Sequence, residues 1–125
     1  MPAALRHGGL RAALRSLLRQ IALPVSMEVM PDRLPTHVET TAYFVVAEAL
    51  TNAVKHARAT GAVLRAAVRH GALELEIRDD GAGGADPHGT GLTGLADRVE
   101  SIDGTITITS PPGRGTTIAV QLPTE

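Results

Sequence analysis

The chain contains no cysteine and no tryptophan. Without thiols it forms no disulfide, offers no thiolate nucleophile and cannot build a zinc–cysteine or iron–sulfur site. Aromatic residues make up 2% of the sequence, one tyrosine and one phenylalanine adjacent at Tyr43 and Phe44. A core under that limit must be leucine, valine, isoleucine and alanine, and the stacking platforms that hold single-stranded nucleic acid are excluded. An excess charge of either sign is missing too: 12 Lys+Arg against 13 Asp+Glu leave a net of -1. A nucleic-acid binder of this size carries a basic excess. No apolar run approaches the ~20 residues of a membrane span, and residues 1–5 lack the charged-then-apolar order of a signal peptide. The expectation is a soluble, cytoplasmic domain that touches neither nucleic acid nor membrane. What is present is a chain of 125 residues, 43% hydrophobic, sufficient for one domain over 1–125 with one core.

Leu5, Leu10, Leu14, Leu17, Leu18 and Ile21 recur at helical spacing, with Arg6, Arg11, Arg15 and Arg19 around the rest of the axis. That predicts an amphipathic helix ending before Pro24, its arginines read as a solvated face rather than an anionic-surface binder. Val25, Met27 and Val29 alternate with polar residues and predict a short strand closed by Pro31. From Pro35, a residue tolerated in a first helical turn, a long helix runs to about Ala57. Its apolar stripe is Val38, Ala42, Val45, Ala49, Ala53 and Ala57, flanked by Val46, Leu50 and Val54, and Gly61 breaks it. The period then drops to two. Leu64, Ala66 and Val68, then Leu73, Leu75 and Ile77 after His70-Gly71, alternate with mostly charged residues and predict a hairpin with one polar face. A glycine-rich loop spans 79–91 and a helix runs through about Ile102. Strands at Ile106 and Ile108 and at Ile118, Val120 and Leu122 flank a Pro111-Pro112-Gly113 turn. One-sided strands need helices on only one face. The expected fold class is an α/β (α+β) two-layer sandwich, a mixed, largely antiparallel sheet of about five strands under about three helices.

Four segments carry groups able to do chemistry. Glu48, Asn52, Lys55 and His56 gather within about 80° of arc on the long helix. An amide oxygen can ligate Mg²⁺, a lysine can meet phosphate oxygens and a glutamate can order a metal-bound water; an ordinary solvated face is the alternative. Asp79-Asp80-Gly81-Ala82-Gly83-Gly84 follows a strand directly. A carboxylate fixed there can accept a hydrogen bond from an adenine amino group and reject the oxygen of guanine, and the glycines let a ring approach the backbone; a plain turn is the alternative. Gly89-Thr90-Gly91-Leu92-Thr93-Gly94 spells a dinucleotide-binding pattern but follows Gly84-Ala85-Asp86-Pro87-His88, which cannot be a central strand, so the dinucleotide reading fails. What remains is a run of backbone amides at a helix N-terminus, suited to phosphate oxygens. Gly113-Arg114-Gly115-Thr116 enters the last strand, where Thr116 can hydrogen-bond beside the Asp79 carboxylate.

In this order, Glu48-x-x-x-Asn52-x-x-Lys55-His56, Asp79-x-Gly81-x-Gly83, Gly89-x-Gly91-Leu92 and Gly113-x-Gly115-Thr116 resemble the ATP-binding catalytic domain of two-component sensor histidine kinases. The likeness covers essentially the whole chain, and AYFVVAEALTNAVKHARA is most similar to the subclass whose response regulators carry a NarL/LuxR-type helix-turn-helix output. The resemblance implies a Bergerat-type ATP fold and a protein-histidine kinase activity with ATP and Mg²⁺. It assigns Mg²⁺ to Asn52, the metal and phosphates to Glu48 (through water), Lys55 and His56, and adenine to Asp79. Gly81 and Gly83 then line the base pocket, Gly89, Gly91 and Leu92 belong to the phosphate side, and Thr116 supports the adenine end. No phenylalanine-bearing box separates the glycine boxes, so the lid is short. None of the five histidines lies in an acceptor motif. The chain is therefore expected to be the catalytic part of a larger kinase, monomeric when isolated. Its partners would be a dimerisation and histidine-phosphoacceptor domain and, indirectly, a response regulator. The alternatives are a stand-alone anti-sigma-factor serine kinase of the same fold, or a non-catalytic ATP-binding module.

Overall fold

The computed structural model describes residues 2–84 and 92–125. In chain order its elements are α1 (Ala3–Leu18), β1 (Val25–Val29), α2 (Thr36–Lys55), β2 (Ala62–Arg69), β3 (Ala72–Asp79), α3 (Leu92–Glu100), β4 (Thr105–Thr109) and β5 (Thr116–Pro123). The strands form one sheet in the order β1-β2-β3-β5-β4. Only β1 and β2 are parallel; the other three pairings are antiparallel. A parallel pair needs a crossover, and α2 supplies it. β3 and β4 both run antiparallel to β5, hence parallel to each other. The α3 connection is thus a second crossover with β5 inserted in its middle.

The alternation read in the sequence sorts the two faces. Leu64 pairs with Ile77 and Ala66 with Leu75, and Leu75 with Val120 and Ile77 with Ile118. All are buried, against Val38, Val45, Ala49, Leu50 and Ala53 of α2 and Leu95 and Val99 of α3. Each aliphatic side chain so buried contributes about 1.5–3 kcal/mol. The opposite face is open, with ion pairs Arg65–Glu28 at 3.8 Å, Arg69–Glu74 at 3.6 Å and Arg78–Glu76 at 3.8 Å. Exposed pairs of this kind add about 0–1 kcal/mol each. The expected two-layer sandwich is the fold that forms.

Four local features depart from the sequence reading. α1 is broken at Gly9, where φ is 80° and ψ -169°. A Cβ there would lie 2.5 Å from Arg33 Cδ. Arg33 donates through Nε to Glu39 Oε2 at 3.2 Å and through Nη2 to the Arg6 carbonyl at 3.3 Å. The carboxylate, buried at 3% exposure, also accepts the Leu34 N–H at 3.1 Å. The α1 arginines are mostly exposed, while Leu5, Leu10 and Leu14 are buried, as a solvated face requires. α2 stops at Lys55, well before Gly61. Ala57 and Ala59 donate to the carbonyls of Asn52 and Ala53, both at 3.0 Å, and Arg58 takes a left-handed φ of 51°, so an arginine holds the place a glycine usually takes in such a cap. Val54 and Val68, expected beside or within apolar stripes, are 37% and 39% exposed. Val68 lies past Ala66, the last β2 residue paired with β1. Pro35 is the N-cap of α2 rather than its first helical residue. Among the described residues no helix is long and apolar enough to cross a membrane.

Candidate functional site

Asp79, the last residue of β3, pairs with Thr116, the first of β5. Directly opposed residues leave the same side of a sheet, so carboxylate and hydroxyl stand together on the helix-covered face at its end. Asp79 is 7% and Thr116 2% exposed. Asp79 Oδ1 accepts the Gly81 N–H at 2.8 Å, and the Thr116 backbone also donates to the carboxylate. Burial outweighs these bonds and raises the Asp79 pKa above the ordinary carboxylate value. A carboxylate stripped of water accepts strongly from an N–H donor.

Asp80 has a different task. Successive side chains of an extended chain point to opposite sides, and Asp80 is exposed. It accepts the N–H groups of Thr60 at 2.7 Å and Gly61 at 3.0 Å and the Thr60 hydroxyl. The Thr60 hydroxyl, then the two amides, hold its pKa below the ordinary value. It fastens the entry to β2 onto the exit of β3. The doublet is thus one site carboxylate and one clamp.

The glycines act through packing. A Cβ on Gly81 would sit 2.5 Å from Ala57 Cβ and 2.6 Å from its carbonyl oxygen. Gly83, at φ 68°, abuts the Pro111 carbonyl, and Gly115, at φ 75°, abuts the Asp79 carbonyl. Ala82 N–H donates to Ala57 O at 2.8 Å, Gly84 N–H to Ser110 O at 2.7 Å and Gly113 N–H to Ala82 O at 2.5 Å. The side of Gly81 and Gly83 that a Cβ would occupy is filled by the protein itself. Their role is to let two loops and the end of α2 close on one another. The Ser110 and Thr116 hydroxyls share a hydrogen bond of 2.7 Å.

On α2, Glu48 and Asn52 are half-buried and Lys55 and His56 exposed. Asn52 Nδ2 is buried and has no hydrogen-bond partner among the described residues. Such an orphan costs about 1–3 kcal/mol, and a rotation of the amide presents its oxygen in the same place. Neither Glu48 nor Lys55 has an ion-pair partner among the described residues. The docking of Ala82 on Ala57 brings the loop after Asp79 to the residue following His56, so the two halves of the site adjoin. Leu92 opens α3 with its side chain 5% exposed in the core. Gly89 and Gly91 lie outside the described residues. Sequence reasoning missed the guanidinium of Arg98, 3.7 Å from the centre of the Phe44 ring, which ties α3 to α2 one turn before Glu48. The lone phenylalanine, set on the polar flank of α2, was the available signal. A groove of about 870 Å³, lined by Arg65, Glu74 and Gln121, lies on the open sheet face away from all of these.

The helix-backed sheet, the buried carboxylate at its end and the polar flank of α2 place the chain in an ATPase class. Residues 37–125 match the histidine kinase-, DNA gyrase B- and HSP90-like ATPase family, and the chain belongs to it. Among curated relatives it is 34% identical over 133 residues to the oxygen sensor histidine kinase NreB of Staphylococcus carnosus, covering 98% of this chain and 38% of that protein. It is 36% identical over 124 residues to the signal transduction histidine-protein kinase/phosphatase UhpB of Salmonella typhimurium, covering 91% and 24%. The chain thus spans well under half the length of these relatives. Among solved structures it resembles the histidine kinase domain of the blue-light activated histidine kinase of Erythrobacter litoralis EL346, with TM-score 0.74 and 26% identity over 91% of this chain and 58% of that one. The ATP-binding domain of PrrB from Mycobacterium tuberculosis is similar at TM-score 0.70 and 26% identity, over 93% and 91%. The fold and family read from the motifs are borne out.

Proposed function

We propose that this chain binds Mg·ATP and presents the γ-phosphoryl group to a histidine on a separate dimerisation domain, as the catalytic part of a two-component sensor kinase. The observation that carries the nucleotide site is the pairing of the buried Asp79 carboxylate with Thr116, beside a helix whose Asn52 Nδ2 is buried and has no partner among the described residues. In this reading Asp79 accepts from the adenine amino group and Thr116 supports the same edge of the base. Asn52 turns its oxygen to Mg²⁺, Glu48 orders a metal-bound water, and Lys55 and His56 meet phosphate oxygens. Gly89, Gly91 and the backbone of Leu92 serve the phosphate side. Among the described residues no three His, Asp or Glu side chains converge on a cation, so triphosphate oxygens would complete the metal's shell, as is usual for Mg²⁺. When bound, the metal would supply charge neutralisation at the transferring group. Phosphoryl transfer needs positioning and charge neutralisation more than a nucleophile from this domain.

The partner domains are the phosphoacceptor domain and, through it, a response regulator with helix-turn-helix output. That NreB and UhpB are both histidine kinases favours this reading over an anti-sigma serine kinase. The test is γ-labelled ATP with the chain alone, with the dimerisation domain of the same kinase, and with that domain's acceptor histidine changed to glutamine. The chain alone should remain unlabelled, and the added domain should acquire an acid-labile, base-stable phosphate that the glutamine variant lacks. Transfer in trans should be slow, since a tether supplies an effective concentration of about millimolar. Strong self-labelling, or an acid-stable product on serine, overturns the proposal.

A further inference from the structure

The β4–β5 turn is bolted to the loop after Asp79 at several points. Gly84 N–H donates to the Ser110 carbonyl at 2.7 Å and Gly113 N–H to the Ala82 carbonyl at 2.5 Å. Gly83 presses on the Pro111 carbonyl and Gly115 on that of Asp79. Within this joint the Ser110 and Thr116 hydroxyls lie 2.7 Å apart. Thr116 is buried beside the Asp79 carboxylate, on the same face of the sheet.

Adenine presents two unlike groups side by side on one edge, the N6 amino donor and the N1 acceptor. Asp79 can serve only the first. N1 then requires a donor next to the carboxylate, and Thr116 carries a hydroxyl there. That hydroxyl has one hydrogen. If Thr116 spends it on Ser110, N1 meets a lone pair. If Ser110 donates to Thr116 Oγ1 instead, the Thr116 hydrogen is free for the ring, directly or through one water.

We infer that Ser110 is a positioning residue for base selection: its hydroxyl donates to Thr116 and turns the Thr116 hydroxyl into a donor toward N1 of adenine. This rests on the nucleotide site proposed above and extends it to a residue that does not itself touch the base.

The test measures affinity by titration calorimetry for three nucleotides: ATP; purine riboside triphosphate, which keeps N1 but lacks the amino group; and 1-deaza-ATP, which keeps the amino group but lacks N1. Ser110→Ala should weaken ATP and purine riboside triphosphate about five-fold, the effect of one neutral hydrogen bond, and leave 1-deaza-ATP unchanged. Ser110→Thr, which keeps the hydroxyl, should restore wild-type values. Asp79→Asn supplies the opposite pattern, weakening ATP and 1-deaza-ATP and sparing purine riboside triphosphate. Equal losses for all three nucleotides in Ser110→Ala would make Ser110 a mere wall of the loop, and no loss for any would remove it from the site; either result overturns the inference while the Asp79 pattern stands. A chain that binds none of the three overturns the nucleotide site and this inference together.

Discussion

Replacing Asp79 by asparagine separates what the carboxylate does for the fold from what it does for a ligand. Gly81 N–H donates to one carboxylate oxygen at 2.8 Å. An asparagine that keeps its oxygen on that amide must turn its NH₂ elsewhere, toward the donor group of an adenine. The lost interaction is charge-assisted, about 1.5–3 kcal/mol, and a donor facing a donor adds to the loss. ATP affinity should therefore fall at least about ten-fold, equivalent to about 1.4 kcal/mol. Stability should respond separately. Burial raises the Asp79 pKa, so the folded chain keeps this proton to higher pH than the unfolded chain does. The associated stability is complete below the unfolded value, near 3.8, and is lost as pH rises through the folded value. Asparagine does not titrate. Relative to wild type, Asp79→Asn should gain thermal stability as pH rises through that window and hold a constant difference above it. Calorimetric titration at neutral pH and melts from pH 3 to 8 measure both effects. Unchanged ATP affinity removes Asp79 from the site, and a stability difference that is flat with pH, or moves the other way, refutes the burial argument.

Asn52→Ala should weaken ATP binding far more in Mg²⁺ than in chelator, while the apo melting temperature does not fall, because the substitution removes a buried orphan; equal losses in both media make Asn52 only a polar wall. Asp80→Ala should lower the melting temperature, since Thr60 and Gly61 lose their acceptor, yet cost less ATP affinity than Asp79→Asn. The wild-type contribution of Asp80 should fade as pH falls through its lowered pKa, visible as a shrinking difference between the two melting curves in acid. Gly115→Ala places a Cβ against the Asp79 carbonyl at φ 75° and should destabilise the fold by about 2 kcal/mol or more, measured by urea titration; a loss below half of that would mean the joint yields.

The strands were legible because their signal is local and redundant. Period-two alternation, bounded by His70-Gly71 and Pro111-Pro112-Gly113, placed β3 and β5 close to their observed limits. Asp79 was legible for a related reason: it falls at the end of an alternating run, on the apolar phase, where a carboxylate is out of place. What escaped depends on contacts between distant segments. Gly9 looks like one more small residue in a helix until Arg33 is seen to occupy the space beside it. The left-handed Arg58 cannot be read from a sequence that offers Gly61 as the obvious stop. The glycines of 81–84 and 113–115 are recognisable as a pattern, but the sequence shows no sign of a second demand on Gly81 and Gly83, the close packing of the protein on itself. Their hydrogens make room for Ala57, Pro111 and Gly115. Ser110, in an ordinary turn, gave no signal of its own.

In the nucleotide site proposed above, the base end and the phosphate end are built to different standards of rigidity, and the sequence explains why. Around Asp79 the backbone itself makes the contacts: three interloop amide bonds and glycines pressed on carbonyls leave the carboxylate no freedom beyond its own rotamer. Backbone contacts survive most side-chain changes, so the base end is fixed before a ligand arrives. The phosphate end is made of side chains on a helix flank. Lys55 and His56 project into solvent at the capped end of α2, and Asn52 Nδ2 has no partner among the described residues. Long exposed side chains lose rotamer entropy when they engage a ligand. The base end can therefore supply selectivity at little entropic cost, while the phosphate end supplies binding only when metal and triphosphate charge offset the ordering of its side chains. A domain that, as proposed, holds its nucleotide and gives up only the terminal phosphoryl group would be served by that division, because the remaining product would keep the base contacts after the phosphate contacts had changed.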